Sequence, residues 1–386
     1  MELHIRNFGP IKEADMVLRK VNVLTGTTCS GKSTLAKLLA IFTSQDMLAL
    51  NSNEINGFEQ LLRQYDIDFY VDDTTFISFD NDSLKYTIEQ RRVISENPYA
   101  DLFASSPENF YVLAKGMTLP DGLSSLLESL ASQKGEAFVV PTWFRTLLAE
   151  HVNPITPVYI PAERILIPVL SGAAFYFNDK KVPFPASISR FGQHYEIAKK
   201  RMESAELFFF KISKDQKEEI LITGQDGHSI PFRQASSGLL SAIPLFMVAA
   251  SYLESVDNVL ALVEEPELNL YPDKQIALLA SLLEYVNKKV SNRLVITTHS
   301  PYMLSFLNCA ITAGKVLEKR PEKKEQVHAI LGDEACEIPF EDVMVYSIQD
   351  GIVRSAMDNE LELISPSDLD SASDLISRMF NELLEL

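Results

Sequence analysis

Three stretches far apart in the chain carry residues whose types and spacing suit them to a polyphosphate. Residues 26–33 read Gly-Thr-Thr-Cys-Ser-Gly-Lys-Ser. Glycine at both ends lets backbone N–H groups face an anion, and a helix opening beyond the loop adds the positive end of its dipole. At this spacing Lys32 reaches the β- and γ-phosphates of a nucleoside triphosphate, and the Ser33 hydroxyl holds Mg2+. Gly26, Thr28, Ser30, Gly31 and Thr34 complete the expected cradle for ATP. In the second stretch, Val259–Leu260–Ala261–Leu262–Val263 runs into Glu264–Glu265–Pro266–Glu267. An apolar run ending in carboxylates reads as a buried strand delivering acid to its C-terminal tip, where ligands sit in parallel α/β sheets. Glu264 is expected beside the Mg2+. Glu265 is expected to act as general base on the attacking water, or to orient it. The third stretch, Arg293 to Pro301, repeats the pattern with one histidine. His299 is expected to sense the γ-phosphate and steady the water. Between them, Ser236–Ser237–Gly238 opens a helix whose hydroxyls and free N–H groups can receive an anion.

Positioning these residues takes strands that feed turns and helices. Val21–Val23–Leu24 reads as a short buried strand before the loop, and Ser33–Phe42 has helical apolar spacing after it. The first 44 residues read as two strands, about 2–7 and 14–24, then loop and helix. Residues 45–155 differ in character and read as an insertion. Within it Ile67–Val71, Thr74–Phe79 and Leu84–Ile88 look like short strands, with Ile88–Val93 as an alternative helix start. From Leu113 to Leu148 the pattern is mostly helical, broken at Pro120–Gly122 and Ser132–Gly135. Val158–Arg164 reads as a buried strand with a polar tip, and 188–205 as a helix. A hairpin follows, Glu219–Thr223 and Ser229–Phe232 around Gly224–Gly227. Helix 236–250, strand 258–263, helix 272–290 and strand 293–298 come next. The tail from 340 reads as strand–turn–strand and an amphipathic helix over 367–386.

The bulk properties narrow the class. The chain has 386 residues, 46% hydrophobic and 23% charged, a globular composition with ample core. No uninterrupted apolar stretch reaches about 18 residues, so no membrane span is expected. The first residues lack the form of a signal peptide. Cys29, Cys309 and Cys336 make no disulfide or zinc spacing, which points to a reducing cytoplasm. Cys29 lies within the phosphate loop. A net charge of −18 leans toward a protein partner over nucleic acid, because phosphate neutralisation supplies most DNA affinity. Arg91–Arg92, Lys199–Lys200–Arg201 and Lys319–Arg320–Lys323–Lys324 are the basic clusters, each interleaved with glutamates.

The order of these motifs resembles the ABC-type ATPases. More narrowly, Ile5–Ile11, Ile160–Arg164, Ala235–Gly238, Glu264–Pro272 and Thr297–Pro301 are similar to the OLD-family ATPases and their single-chain AAA-type relatives, common in anti-phage defence. The resemblance implies an α/β P-loop NTPase of ABC-ATPase type: a mixed central sheet flanked by helices, an antiparallel β subdomain and a helical insertion. It implies one ATPase head over 1–386, with the loop and first helix in 1–44, insertion 45–155, core 156–312 and C-terminal extension 313–386. Two heads would sandwich ATP, with Ser236–Ser237–Gly238 of one closing over the γ-phosphate held by Gly31, Lys32 and Ser33 of the other. Arg164, or Glu163, would sense the γ-phosphate, and adenine would lie near Asn7 and Phe8. Glu264 replaces a more usual aspartate, Leu239 a transporter glutamine, and Asn269 and Tyr271 two histidines of the OLD pattern. No Toprim or HNH nuclease pattern appears after His299. Asp368–Leu369–Asp370 reads as first-turn acid of the last helix, favoured there by the helix dipole. The expected role is therefore an ATPase sensor or scaffold, dimeric, controlling a separate nuclease or toxin. The alternative is a RecF-like repair ATPase that binds DNA when ATP is bound.

Overall fold

The computed structural model of the chain describes residues 1–50, 55–81, 83–97, 99, 102–103, 105, 107–115, 117–119, 122–134, 142–170, 185–208, 210–216, 219–332, 336–365 and 379. It divides into two compact units. Unit 1 comprises residues 1–17 and 37–157, and unit 2 comprises 18–36 and 158–386. In chain order the strands are β1 (Glu2–Phe8), β2 (Ile11–Val17), β3 (Val21–Gly26), β4 (Phe76–Asp80), β5 (Lys85–Glu89), β6 (Arg92–Ser95) and β7 (Thr156–Ile160). They continue with β8 (Ser204–Leu207), β9 (Phe210–Lys214), β10 (Ile220–Thr223), β11 (Ser229–Pro231), β12 (Val259–Glu264), β13 (Arg293–Thr297), β14 (Val343–Gln349) and β15 (Ile352–Ser355).

Unit 1 is built on an antiparallel sheet, β6-β5-β4-β1-β2. Its strands alternate buried and open positions, as strands with one covered face do. Phe42, from helix Lys32–Phe42, stacks on Phe79 with ring centroids 5.1 Å apart and packs against Phe58. The sequence's single strand over 14–24 is two: β2 ends at Val17 and β3 starts at Val21. The expected strand Ile67–Val71 is instead a 3-10 turn, Asp68–Tyr70, whose Tyr70 ring packs over Gly9 and edge-on against Phe8. Phe8 is fully buried there, so its ring has no open face for adenine. Ile88–Val93 does not open a helix. Gln90 and Arg91 both take positive φ, 48° and 56°, the signature of a tight hairpin joining β5 to β6, and Ile88 pairs with Val93.

Unit 2 carries the sheet β15-β14-β3-β13-β12-β7, in which β14, β3, β13 and β12 run parallel and β15 antiparallel. β12 is buried at every position and β3 at all but its last, the pattern of strands covered on both faces. Helices Ser237–Ser255, Pro272–Asn287 and Pro301–Lys319 contribute their buried residues to one core with those strands. Ser237–Ser255 is, among the described residues, one helix long and apolar enough to cross a membrane, and two-thirds of it is buried in this core. A second sheet, β11-β10-β9-β8, contains the expected hairpin, with Gly227 at φ 77° in its turn. The expected helix over 367–386, and Asp368–Asp370 with it, lie outside the described residues apart from Met379.

Candidate functional site

Parallel register brings the three stretches together. Leu24 of β3 pairs with Thr297 of β13, and Thr297 with Glu264 of β12, so the tips of the three strands are neighbours. Backbone bonds lock the turns that follow: Thr298 N donates to Leu24 O at 3.0 Å, and Glu265 N to Thr297 O at 2.9 Å. The predicted phosphate, metal, water and lid residues all lie within unit 2, whereas Asn7 and Phe8, expected near adenine, belong to unit 1.

The loop after β3 has the backbone expected of a phosphate cradle. Gly26, Cys29 and Gly31 take φ of 143°, 62° and 104°. Gly26 is required for a further reason: a Cβ there would collide with the Ile348 carbonyl of β14. Lys32 opens the helix and is 5% exposed. Its Nζ donates to the carbonyls of Gly26 at 3.0 Å and Thr27 at 2.9 Å, which holds the ammonium over the loop. Burial lowers the Lys32 pKa, and the fields of Glu265, Glu267, Cys29 and Glu264 oppose that, placing the loop cation close to the acids of the β12 tip. The Ser30 hydroxyl is buried with no hydrogen-bond partner among the described residues, an acceptor and donor ready for a ligand oxygen. The Cys29 thiol is exposed.

At the tip of β12 Glu264 is 3% exposed, while the next residue, Glu265, turns outward with φ 40°, a left-handed conformation rare for glutamate. The Nε2 of His299 lies 3.9 Å from Glu265 Oε1, within ion-pair range though beyond a hydrogen bond. Ser300 and Pro301 have a structural role. The Ser300 hydroxyl accepts from Met303 N and Pro301 stands at the first helical position, so both start helix Pro301–Lys319.

Glu267 was not singled out in the sequence. Its Oε1 accepts the Thr298 hydroxyl at 2.8 Å and the His299 N–H at 2.7 Å, fixing the segment that bears the histidine. Burial raises its pKa, partly offset by these hydrogen bonds, and Glu265 adds to the rise. Only the third carboxylate after an apolar strand, next to a second strand ending in hydroxyls, signals this role.

Ser236 caps helix Ser237–Ser255 by position, yet its side chain makes no capping bond, and Ser236 and Ser237 are both exposed. Gly238 is buried against the turn after β12: a Cβ there would stand 2.7 Å from Asn269 O. The glycine is thus needed for packing as well as for any anion.

Arg164 departs from its expected place. It has no exposed surface, and its guanidinium donates to four main-chain carbonyls: Ser241 at 3.1 Å, Pro161 at 3.1 Å, Glu264 at 2.6 Å and Glu265 at 2.7 Å. So placed, it grips the protein and presents nothing to a phosphate. Burial lowers its pKa to about 10, opposed by the fields of Glu267, Glu264 and Glu265, so it remains cationic at neutral pH. Glu163 precedes it in the same 3-10 turn.

The donors fit a magnesium nucleotide. Mg2+ favours one or two protein oxygens plus phosphates over an all-protein cage. Among the described residues no group of three or more His, Cys, Asp or Glu forms such a cage, and Glu264, expected beside the metal, is buried at the tip of β12.

The AAA ATPase domain profile matches residues 1–119 and 175–304, more than half of the chain and all three strand tips. The chain belongs to the AAA ATPase domain family. With the strand order above, this ATPase domain is an α/β P-loop fold on a mixed central sheet. No curated protein matches it. Similar solved structures include an SMC head domain from Thermotoga maritima, 10% identical with TM-score 0.38, covering 92% of this chain and 97% of that one. An Smc head with an extended coiled coil, bound to the C-terminal domain of ScpA derived from Pyrococcus furiosus, is 11% identical with TM-score 0.39, covering 92% and 94%. An ATP-binding cassette of an ABC transporter in its ADP conformation is 11% identical with TM-score 0.36, covering 98% and 99%.

Proposed function

We propose that this ATPase domain binds ATP on the 26–33 loop and hydrolyses it with Glu265 as the general base, or orienter, of the attacking water. The observation that carries this reading is the convergence of the β3, β12 and β13 tips. It sets the loop ammonium in the field of the β12 carboxylates and His299 within 3.9 Å of Glu265. Lys32 would exchange its two loop carbonyls for phosphate oxygens. Glu265 faces the solvent side, where a water can lie between it and the γ-phosphate, and His299 would steady that water. Ser33 and Glu264 would hold Mg2+, whose charge would offset that of the phosphates.

The uncapped hydroxyls of Ser236 and Ser237 support a lid role at a second copy's γ-phosphate. Closure is therefore by a head-to-head homodimer, and turnover requires it. Beyond the chemistry, the resemblance of the motifs to OLD-type ATPases supports a sensor or scaffold ATPase in anti-phage defence that holds a separate effector, a nuclease or toxin.

Glu265→Gln tests the reading. It should bind ATP, turn over at least about 100-fold more slowly and elute as a dimer in ATP. Turnover at the wild-type rate would remove Glu265 from the chemistry. A purified chain that cut DNA unaided would refute the separate effector.

A further inference from the structure

We infer that Arg164 is a positioning residue that ties helix Ser237–Ser255 to the tip of β12, so that the place of the helix sets the place of Glu265. The inference rests on the role of Glu265 proposed above and deepens it, by naming how the lid of the site is felt at its water.

Arg164 heads the fully buried side chains by volume. A guanidinium out of water is costly unless its donors are satisfied. Here the direct partners are main-chain carbonyls from three elements, not carboxylates. Two of them, Glu264 O and Glu265 O, are consecutive, and they flank the residue whose φ of 40° turns the Glu265 side chain outward. A non-glycine residue in that conformation persists only when its surroundings over-determine it. One planar fork gripping both carbonyls does this, with Glu265 N bound to Thr297 O on the other side.

The third element is the helix. Arg164 Nε takes the Ser241 carbonyl, three residues after Gly238 and so one turn into the helix. Gly238 itself lies against the Asn269 carbonyl, in the turn that follows the strand tip. The helix start therefore meets the catalytic turn twice, once through Gly238 and once through Arg164. Its outer end carries the exposed Ser236 and Ser237. A load on those serines, from a γ-phosphate on a second copy, would shift the helix and reach Glu265 through the guanidinium. Lysine could keep the charge but not the fork that spans several carbonyls at once.

Steady-state kinetics on the full chain tests this, with Arg164→Lys, Arg164→Ala and each combined with Glu265→Gln. Misplacing a catalytic group by about 1 Å costs up to about 100-fold. Arg164→Lys should lower kcat about 10- to 100-fold while ATP affinity, by titration, stays within about threefold. Added guanidinium should restore part of the turnover of Arg164→Ala. In the Glu265→Gln background Arg164→Lys should cost less than about twofold more, because both act through one carboxylate. Wild-type kcat in Arg164→Lys overturns the inference, as do losses that multiply in the double variant. Should Arg164→Ala not fold, Arg164→Lys and its double variant carry the test. Failure of the two levels is distinguishable. An unimpaired Glu265→Gln overturns the catalytic reading and the tie together, whereas multiplying losses with Glu265→Gln impaired overturn the tie alone.

Discussion

The two units of the molecule solve different problems with the same kind of strand. In unit 1, β1, β4 and β5 alternate buried and open positions, one face packed and the other wet. Such a sheet is stabilised by side-chain pairs and by the Phe42–Phe58–Phe79 cluster, and its strand ends are ordinary hairpins. In unit 2, β3, β12 and β13 are almost wholly buried and parallel, so their C-terminal ends must finish at one edge. Polar residues at those ends meet whether or not they are near in sequence. The contrast shows why the polar strand ends gather in unit 2: a parallel sheet concentrates strand tips, and an antiparallel one disperses them.

Substitutions in the two units should therefore separate binding from stability. The largest effect expected is on binding, from Lys32→Ala, which removes a charged donor from the loop. ATP affinity should fall about 100-fold, the loss of one to two charge-assisted hydrogen bonds, with the urea midpoint nearly unchanged, as calorimetric titration and denaturation would record. The converse variant is Phe58→Leu in the core of unit 1. It should cost about 1–2 kcal/mol of stability and leave ATP affinity within about twofold. A large loss of ATP binding in Phe58→Leu, or of stability in Lys32→Ala, would erase the division of labour.

The smallest effect concerns Glu267 and pH. Burial raises its pKa in the folded chain above the ordinary value. The folded state then holds a proton that the unfolded chain gives up, so this group's contribution falls as pH rises from the unfolded pKa through the folded one. Below that window the contribution is fully present. Glu267→Gln removes the titration and keeps an acceptor for Thr298 and His299. Its melting temperature relative to the wild type should rise as pH goes from about 4.5 to 7. A constant difference across that range would show that the carboxyl titrates alike in both states.

Much of unit 2 was legible in the sequence because each motif had its physical context. Val259–Val263 is too apolar to be anything but buried, and it ends in acids. Arg293–Thr297 repeats that design, and the glycine loop follows β3 and opens a helix. Unit 1 was legible less well. Ile67–Val71 has strand-like residues, yet Tyr70 is drawn over Gly9 and the segment turns instead. Gln90–Arg91 carries no glycine to announce a tight hairpin, so Ile88–Val93 offers a helix start in sequence where the fold pairs Ile88 with Val93.

Arg164 and Glu267 mark the limit of reading residues one at a time. A charged residue at a strand tip reads as a ligand for charge. Arg164 instead grips carbonyls 77, 100 and 101 residues further along the chain, and main-chain acceptors leave no trace in a sequence. Glu267 is one of three nearby glutamates, and only the register of β12 with β13 shows which of them holds the His299 segment.

On this reading the three strand tips of unit 2 enclose one triphosphate. A crystal structure of Glu265→Gln with Mg2+ and ATP tests it most directly. Phosphates are expected on the 26–33 loop in contact with Lys32, the metal between Ser33 and Glu264, and a γ-phosphate within one water of residues 265 and 299. Nucleotide bound elsewhere, or a γ-phosphate out of reach of the β12 and β13 tips, would contradict it.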